Sequence, residues 1–108
     1  MSRRKDQVAE TIAHHAADFF ARESNRESLI TVTHADLSPD LKNVIVYFSV
    51  MPEKMEEPAL NFAKRVRTDF REYLKAKMPI GHIPTIDFSL DLGEKNRQKI
   101  DEALRKAH

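Results

Sequence analysis

Between Ile30 and Val50 the chain reads ITVTHADLSPDLKNVIVYFSV, and no other stretch limits its possible folds as much. Val44, Val46, Phe48 and Val50 alternate with Ile45, Tyr47 and Ser49. Period-2 alternation rich in β-branched and aromatic residues predicts a half-buried strand over about Asn43–Val50. An earlier strand is predicted from Leu29 to about Leu37. Between them, Ser38-Pro39-Asp40 is turn chemistry: proline fixes φ, and the Ser and Asp side chains can bond nearby backbone N–H groups. Pro39 also lacks the N–H that a strand interior needs. A lone hairpin is marginal in water, so the rest of the chain must supply a third strand and helices to cover one face.

The flanking segments fit that demand. Over residues 3–24, Val8, Ile12, Ala16, Phe19 and Phe20 keep helical spacing, with Ser2 placed to cap the start. Asn25-Arg26-Glu27-Ser28 is a polar link. After the hairpin, Met51–Glu57 reads as a short acidic connection. A helix is predicted from Pro58 to Met78, with proline in its first turn and Pro79 ending it. Its apolar arc is Ala59, Ala63, Val66, Phe70, Tyr73 and Leu74. Ile80–Pro84 is a turn, and Ile86, Phe88 and Leu90 alternate as a third strand. A charged last helix is predicted over about Glu94–Lys106, carrying Ile100, Ala103 and Leu104. The expected architecture is a single α+β domain spanning residues 1–108, with residues 1–4 and 104–108 frayed. Its three-stranded mixed sheet has helices on one face, plus the short C-terminal helix.

Composition narrows the function classes. With 41% apolar and 32% charged residues the chain is neither disordered nor membrane-like. No apolar run nears the roughly 20 residues of a membrane span, and the N-terminus lacks an apolar signal-peptide core. The absence of cysteine excludes disulfides and thiolate metal sites and fits a reducing compartment. The net charge of +1 does not by itself argue for nucleic acid, so the distribution of charge must make that case.

That distribution points to one feature. Lys64, Arg67, Arg71 and Lys75 stand at i, i+3, i+7 and i+11, a narrow cationic stripe beside the apolar arc of the middle helix. Asp69 and Glu72 are expected on its other side. Folded RNA presents phosphates and 2′-hydroxyls rather than readable major-groove edges, so a row of cations is useful without base contacts. The plain alternative is a solvated helix face whose stems cover the core edge. Arg3 and Arg4, with Lys5, form a basic N-terminal arm that either touches phosphate or is simply solvated.

Other chemistries find less support. His14 and His15 are adjacent and diverge by about 100° on a helix, and the His-Glu-x-x-His spacing is absent. No metal site or cofactor is expected. Asp36, Asp40, Asp87 and Asp91 stand near strand ends, where they would serve a small magnesium-dependent nuclease or hydrolase, or cap turns. A third reading is a protein-interaction module that uses the exposed sheet edge. Phe19, Phe20 and Phe70 sit at core spacing.

Taken in order, Thr31-Val32-Thr33, Ser38-Pro39-Asp40-Leu41, Val46-Tyr47, the arginine-bearing helical region and the final strand from Ile83-Pro84 through Phe88 to Asp91 resemble the bacterial ribosome-binding factor A family. The resemblance spans nearly the whole chain. It implies a type II KH-like fold, αββααβ, without the Gly-x-x-Gly loop. It also implies a non-enzymatic, monomeric, cytoplasmic RNA-binding factor. Such a factor associates with the small (30S) ribosomal subunit and its rRNA, assists late maturation including 16S rRNA 5′-end processing, and features in cold adaptation. No membrane and no small-molecule substrate is implied. On this reading Lys64, Arg67, Arg71 and Lys75, with Arg3 and Arg4, are the nucleic-acid-binding residues. The family kinks its middle helices at an Ala-x-Gly. Counting back from Ile83-Pro84 puts the kink at Val66-Arg67-Thr68, and counting forward from Ala59-Leu60-Asn61 puts it at Ala63-Lys64-Arg65. Neither triplet has glycine, so a straighter helix or a kink by other means is expected.

Overall fold

The computed structural model describes residues 3–23, 28–79 and 81–93. Helix α1 (Arg3–Glu23) leads into strands β1 (Leu29–Leu37) and β2 (Asn43–Met51), helices α2 (Glu56–Arg65) and α3 (Arg67–Lys77), and strand β3 (Thr85–Leu90). The predicted C-terminal helix, the Ser2 cap, residues 25–27 of the polar link and the side chain of Arg3 lie outside the described residues. The β2 strand runs one residue further than its alternation indicated. The expected acidic connection is mostly structured, with a single 3-10 turn at Glu53–Met55 passing directly into α2.

The sheet order is β1-β2-β3, with β1 antiparallel and β3 parallel to β2. A parallel neighbour cannot be reached by a hairpin, so the chain crosses over through α2 and α3. Core-facing residues line up across the strands: Leu37, Val44 and Ile86 in one row, and Ala35, Val46 and Phe88 in the next. A bulge between Val32 and His34 makes this possible. Ile30 and Val32 are even-numbered and Ala35 and Leu37 odd, so strict alternation would send the two pairs to opposite faces. The extra residue restores the phase.

Among the described residues, the helices cover only this face. Helix α1 packs on β1 and β2, α2 on β2 and β3, and α3 on α1 and β3. Phe20 is the centre of the core, with ring centroids 5.2 Å from Phe88, 5.9 Å from Phe48 and 6.4 Å from Phe62. Phe19 and Phe70, 5.3 Å apart, extend the cluster beneath α3 and are buried as their spacing predicts. Among the described residues, no polar or charged side chain is buried.

The middle helix is not continuous. At Val66 the backbone leaves helical geometry, with φ −94° and ψ 10°, and α3 starts one residue later. The break falls in the triplet reached by counting back from Ile83-Pro84, and it forms without glycine. The φ there is negative, in a region open to any residue, so glycine is not required. The Val66 N–H still donates to the Phe62 carbonyl (3.1 Å), and the Phe70 N–H to the Val66 carbonyl (2.9 Å). The apolar wheel concealed the break because Ala59, Ala63, Phe70 and Leu74 share one arc in a straight helix as well.

Candidate nucleic-acid interface

The break divides the cationic residues between two helices. Lys64 stands in the last turn of α2, while Arg67, Arg71 and Lys75 stand on α3. The expected single rod is thus two segments meeting at Val66, and Lys64 and Arg67 flank the corner. Both reach β3, an edge strand: Lys64 Nζ is 3.7 Å and Arg67 Nη1 3.5 Å from Asp87 Oδ1. The same oxygen accepts the Phe88 N–H at 2.9 Å.

Two further points correct the sequence reading. Glu72 does not stay clear of the stripe: its Oε1 is 3.4 Å from Lys75 Nζ, an i, i+3 neighbour. Asp87, which sequence spacing placed only among strand-end aspartates, is a partner of two of the four cations. Arg71 is half-buried, and among the described residues no carboxylate pairs with it. Because Lys64 and Arg67 share one carboxylate and Arg71 has none, positive charge remains in excess along this edge. The paired side chains are about half exposed, at 48–51%. Such exposed ion pairs contribute about 0–1 kcal/mol, little enough to be exchanged for phosphate contacts.

Arg4 lies away from this group. It is exposed on the first turn of α1 and stands beside Leu37, Leu41, His82 and Pro84, at the hairpin-turn end of the sheet. Leu41 enters the sequence reading only as the last residue of the Ser38-Pro39-Asp40-Leu41 turn, and His82 only within the Ile80–Pro84 turn. The signal for Leu41 is conformational, a positive φ of 63° on a non-glycine residue, and cannot be read from residue type.

The aspartates do structural work. Asp40 Oδ1 accepts the Ser38 hydroxyl (2.6 Å) and the Lys42 N–H (3.1 Å), which hold its carboxyl below the usual range. The Asp91 carboxyl is likewise lowered by the Thr33 hydroxyl, then by the Gly93 N–H (3.1 Å) and nearby His34. Asp36 and Asp87 both register with Ile45 from opposite strands, about 10 Å apart at ordinary strand spacing. Among the described residues, no group of three or more His, Asp or Glu side chains is arranged to hold a metal ion. The histidines are dispersed: His14 is near Glu10 (3.7 Å), and His34 stacks on Tyr47 with centroids 4.5 Å apart. Tyr73 is no open stacking platform, since Arg22 and Lys77 lie 5.7 and 5.5 Å from its ring centre.

An αββααβ domain with a mixed sheet, one covered face and no Gly-x-x-Gly loop at its helix corner is a type II KH-like protein. The family model for ribosome-binding factor A matches residues 4–104, and the chain belongs to that family. Ribosome-binding factor A of Anaeromyxobacter sp. is 32% identical over 108 residues, covering 96% of this chain and 88% of the relative. That of Pelobacter propionicus is 32% identical over 111 residues, covering 97% and 88%. The crystal structure of ribosome-binding factor A from Thermus thermophilus superposes with a TM-score of 0.71 at 22% identity, covering 80% of this chain and 94% of that one. A Thermus thermophilus homology model fitted into a cryo-EM map of a 30S–RbfA complex gives a TM-score of 0.68 at 21% identity, covering 77% and 90%.

Proposed function

We propose that this protein is a non-enzymatic assembly factor that binds the small (30S) ribosomal subunit through its 16S rRNA. It acts as a cytoplasmic monomer in late maturation, including the step at which other enzymes process the rRNA 5′ end, and it serves growth in the cold. The observation that carries the reading is the family match over residues 4–104, together with the 30S complex of a structural relative. The interface is the β3 edge and the α2–α3 corner, where Lys64, Arg67, Arg71 and Lys75 meet phosphate. Arg4, with Arg3, adds contacts from the N-terminal arm. Cation rows of this kind bind by releasing counterions, so affinity falls steeply with salt.

The test is co-sedimentation of purified protein with small subunits, comparing wild type with Arg67→Glu combined with Arg71→Glu. The double variant is expected to fold normally, because Arg67 is exposed and Arg71 is only half-buried, and to sediment with far fewer subunits. Undiminished co-sedimentation would remove this interface. A gradient profile of a deletion strain is expected to show immature small subunits, and magnesium-dependent RNA cleavage by the purified protein would replace the assembly reading with the nuclease one.

A further inference from the structure

The hairpin turn contains a conformational anomaly. Leu41 has a φ of 63° and is 43% exposed. A left-handed β-carbon costs about 1–2 kcal/mol, which glycine avoids and asparagine reduces. Here a leucine takes that position and leaves its side chain largely outside the core. The turn is otherwise well made: the Leu41 N–H donates to the Ser38 carbonyl (2.9 Å), and the Asn43 N–H to the Ser38 hydroxyl (3.0 Å). An outlier held in place by sound surroundings points toward function.

Leu41 forms one wall of a hollow of about 190 Å³, whose other apolar surfaces are Val8, Leu37 and Pro84. Arg4, Lys5 and His82 stand at the same hollow, so two segments distant in sequence bring basic groups to an apolar recess. Lys42 follows Leu41 and is exposed. Asp40, two residues before Lys42, is turned into its own turn by Ser38 and the Lys42 N–H. An apolar cavity of about 150 Å³ takes up benzene, so this one has room for a single aromatic base and not for a base pair. Pro84 is three residues from Asp87, where Lys64 and Arg67 converge. At about 3.3 Å per residue that is about 10 Å along β3, within reach of one or two nucleotides.

We infer that this hollow holds one unpaired base of the bound RNA. The base lies against Leu41, Leu37 and Pro84, and its phosphate meets Arg4 and Lys5 while neighbouring phosphates follow the β3 edge. The inference rests on the RNA-binding reading above and adds to it a preference for single-stranded RNA. Unpaired bases are what proteins splay into pockets, and Arg and Lys at the rim match the phosphate.

The experiment compares binding of a short single-stranded oligoribonucleotide and a blunt-ended RNA duplex by fluorescence anisotropy, using the full chain. Wild type is expected to prefer the single strand. Leu41→Gly relieves the backbone strain while removing the wall. It is expected to unfold no more readily than wild type in urea, to lose about five- to tenfold in single-strand affinity, and to keep its duplex affinity. Arg4→Ala, at an exposed position, is expected to weaken single-strand binding to a similar degree. Single-strand affinity unchanged in both variants would overturn the base site and leave the β3-edge interface standing. A wild-type protein that binds neither RNA would overturn the RNA-binding reading and the base site together.

Discussion

Arg67 Nη1 lies 3.5 Å from Asp87 Oδ1, and this contact ties the start of α3 to the edge strand β3. It is longer than the 2.7–2.9 Å of a strong charge-assisted hydrogen bond, and both side chains are about half exposed. With Lys64 on the same oxygen at 3.7 Å, Asp87 sets how much positive charge this edge presents.

Asp87→Asn removes one negative charge beside two cations while keeping Oδ1 as acceptor for the Phe88 N–H. RNA affinity is expected to rise about two- to fivefold at low salt, with a steeper fall as salt increases. Stability is expected to change by less than about 1 kcal/mol. Anisotropy titrations at two salt concentrations check this, and unchanged affinity at both would mean that Lys64 and Arg67 do not face the RNA.

Val66→Ala is expected to cost about 1 kcal/mol, because the side chain is only partly buried against the core. The break between α2 and α3 is expected to persist, since beyond their shared contact with β3 the two helices pack on different elements, α2 on β2 and α3 on α1. Urea unfolding gives the first quantity and backbone chemical shifts of residues 64–68 the second. A continuous helix in the variant would assign the break to the valine side chain instead.

Phe20→Ala empties the centre of the aromatic cluster, where Phe20 is 2% exposed. The expected loss is about 3–5 kcal/mol. A domain of this size has only about 5–15 kcal/mol in total, so a large unfolded fraction is expected at 37 °C. An unfolding free energy from urea titration within about 1 kcal/mol of wild type would show that this position is not the core's centre.

Asp40 and Asp91 have folded-state pKa values below the ordinary aspartate range. Their stabilising effect is therefore full above about pH 4 and is lost as pH falls through the depressed values. For Asp40 the main cause is the Ser38 hydroxyl, followed by the Lys42 N–H. Asp40→Asn is expected to be less stable than wild type at neutral pH, with the difference narrowing on acidification below pH 4. Urea midpoints from pH 7 to pH 2 test the sign; a gap that widens toward acid would contradict it.

The two hairpin strands were legible because period-2 alternation is a local property. Val44, Val46, Phe48 and Val50 are all buried as their pattern requires, and β1 has the predicted bounds. The bulge in β1 was also written in the chain, as the change of parity between Val32 and Ala35, but it has meaning only once Phe48 and Val46 are known as the partners. The helix break was hidden because the apolar arc of Ala59, Ala63, Phe70 and Leu74 fits one straight helix as well as two.

The sequence by itself determined the three strands, the helical regions other than the break at Val66, the faces they bury and the family, because these depend on neighbours within a few residues and on motif order along the chain. Tertiary structure alone decided that β3 lies parallel beside β2, that Asp87 stands against Lys64 and Arg67, and that Arg4 shares a hollow with Leu41 and His82. Each of these relations joins residues about 20 or more positions apart. Which side chains meet at such separations is set by how sheet and helices pack as whole bodies, and no local periodicity carries that information.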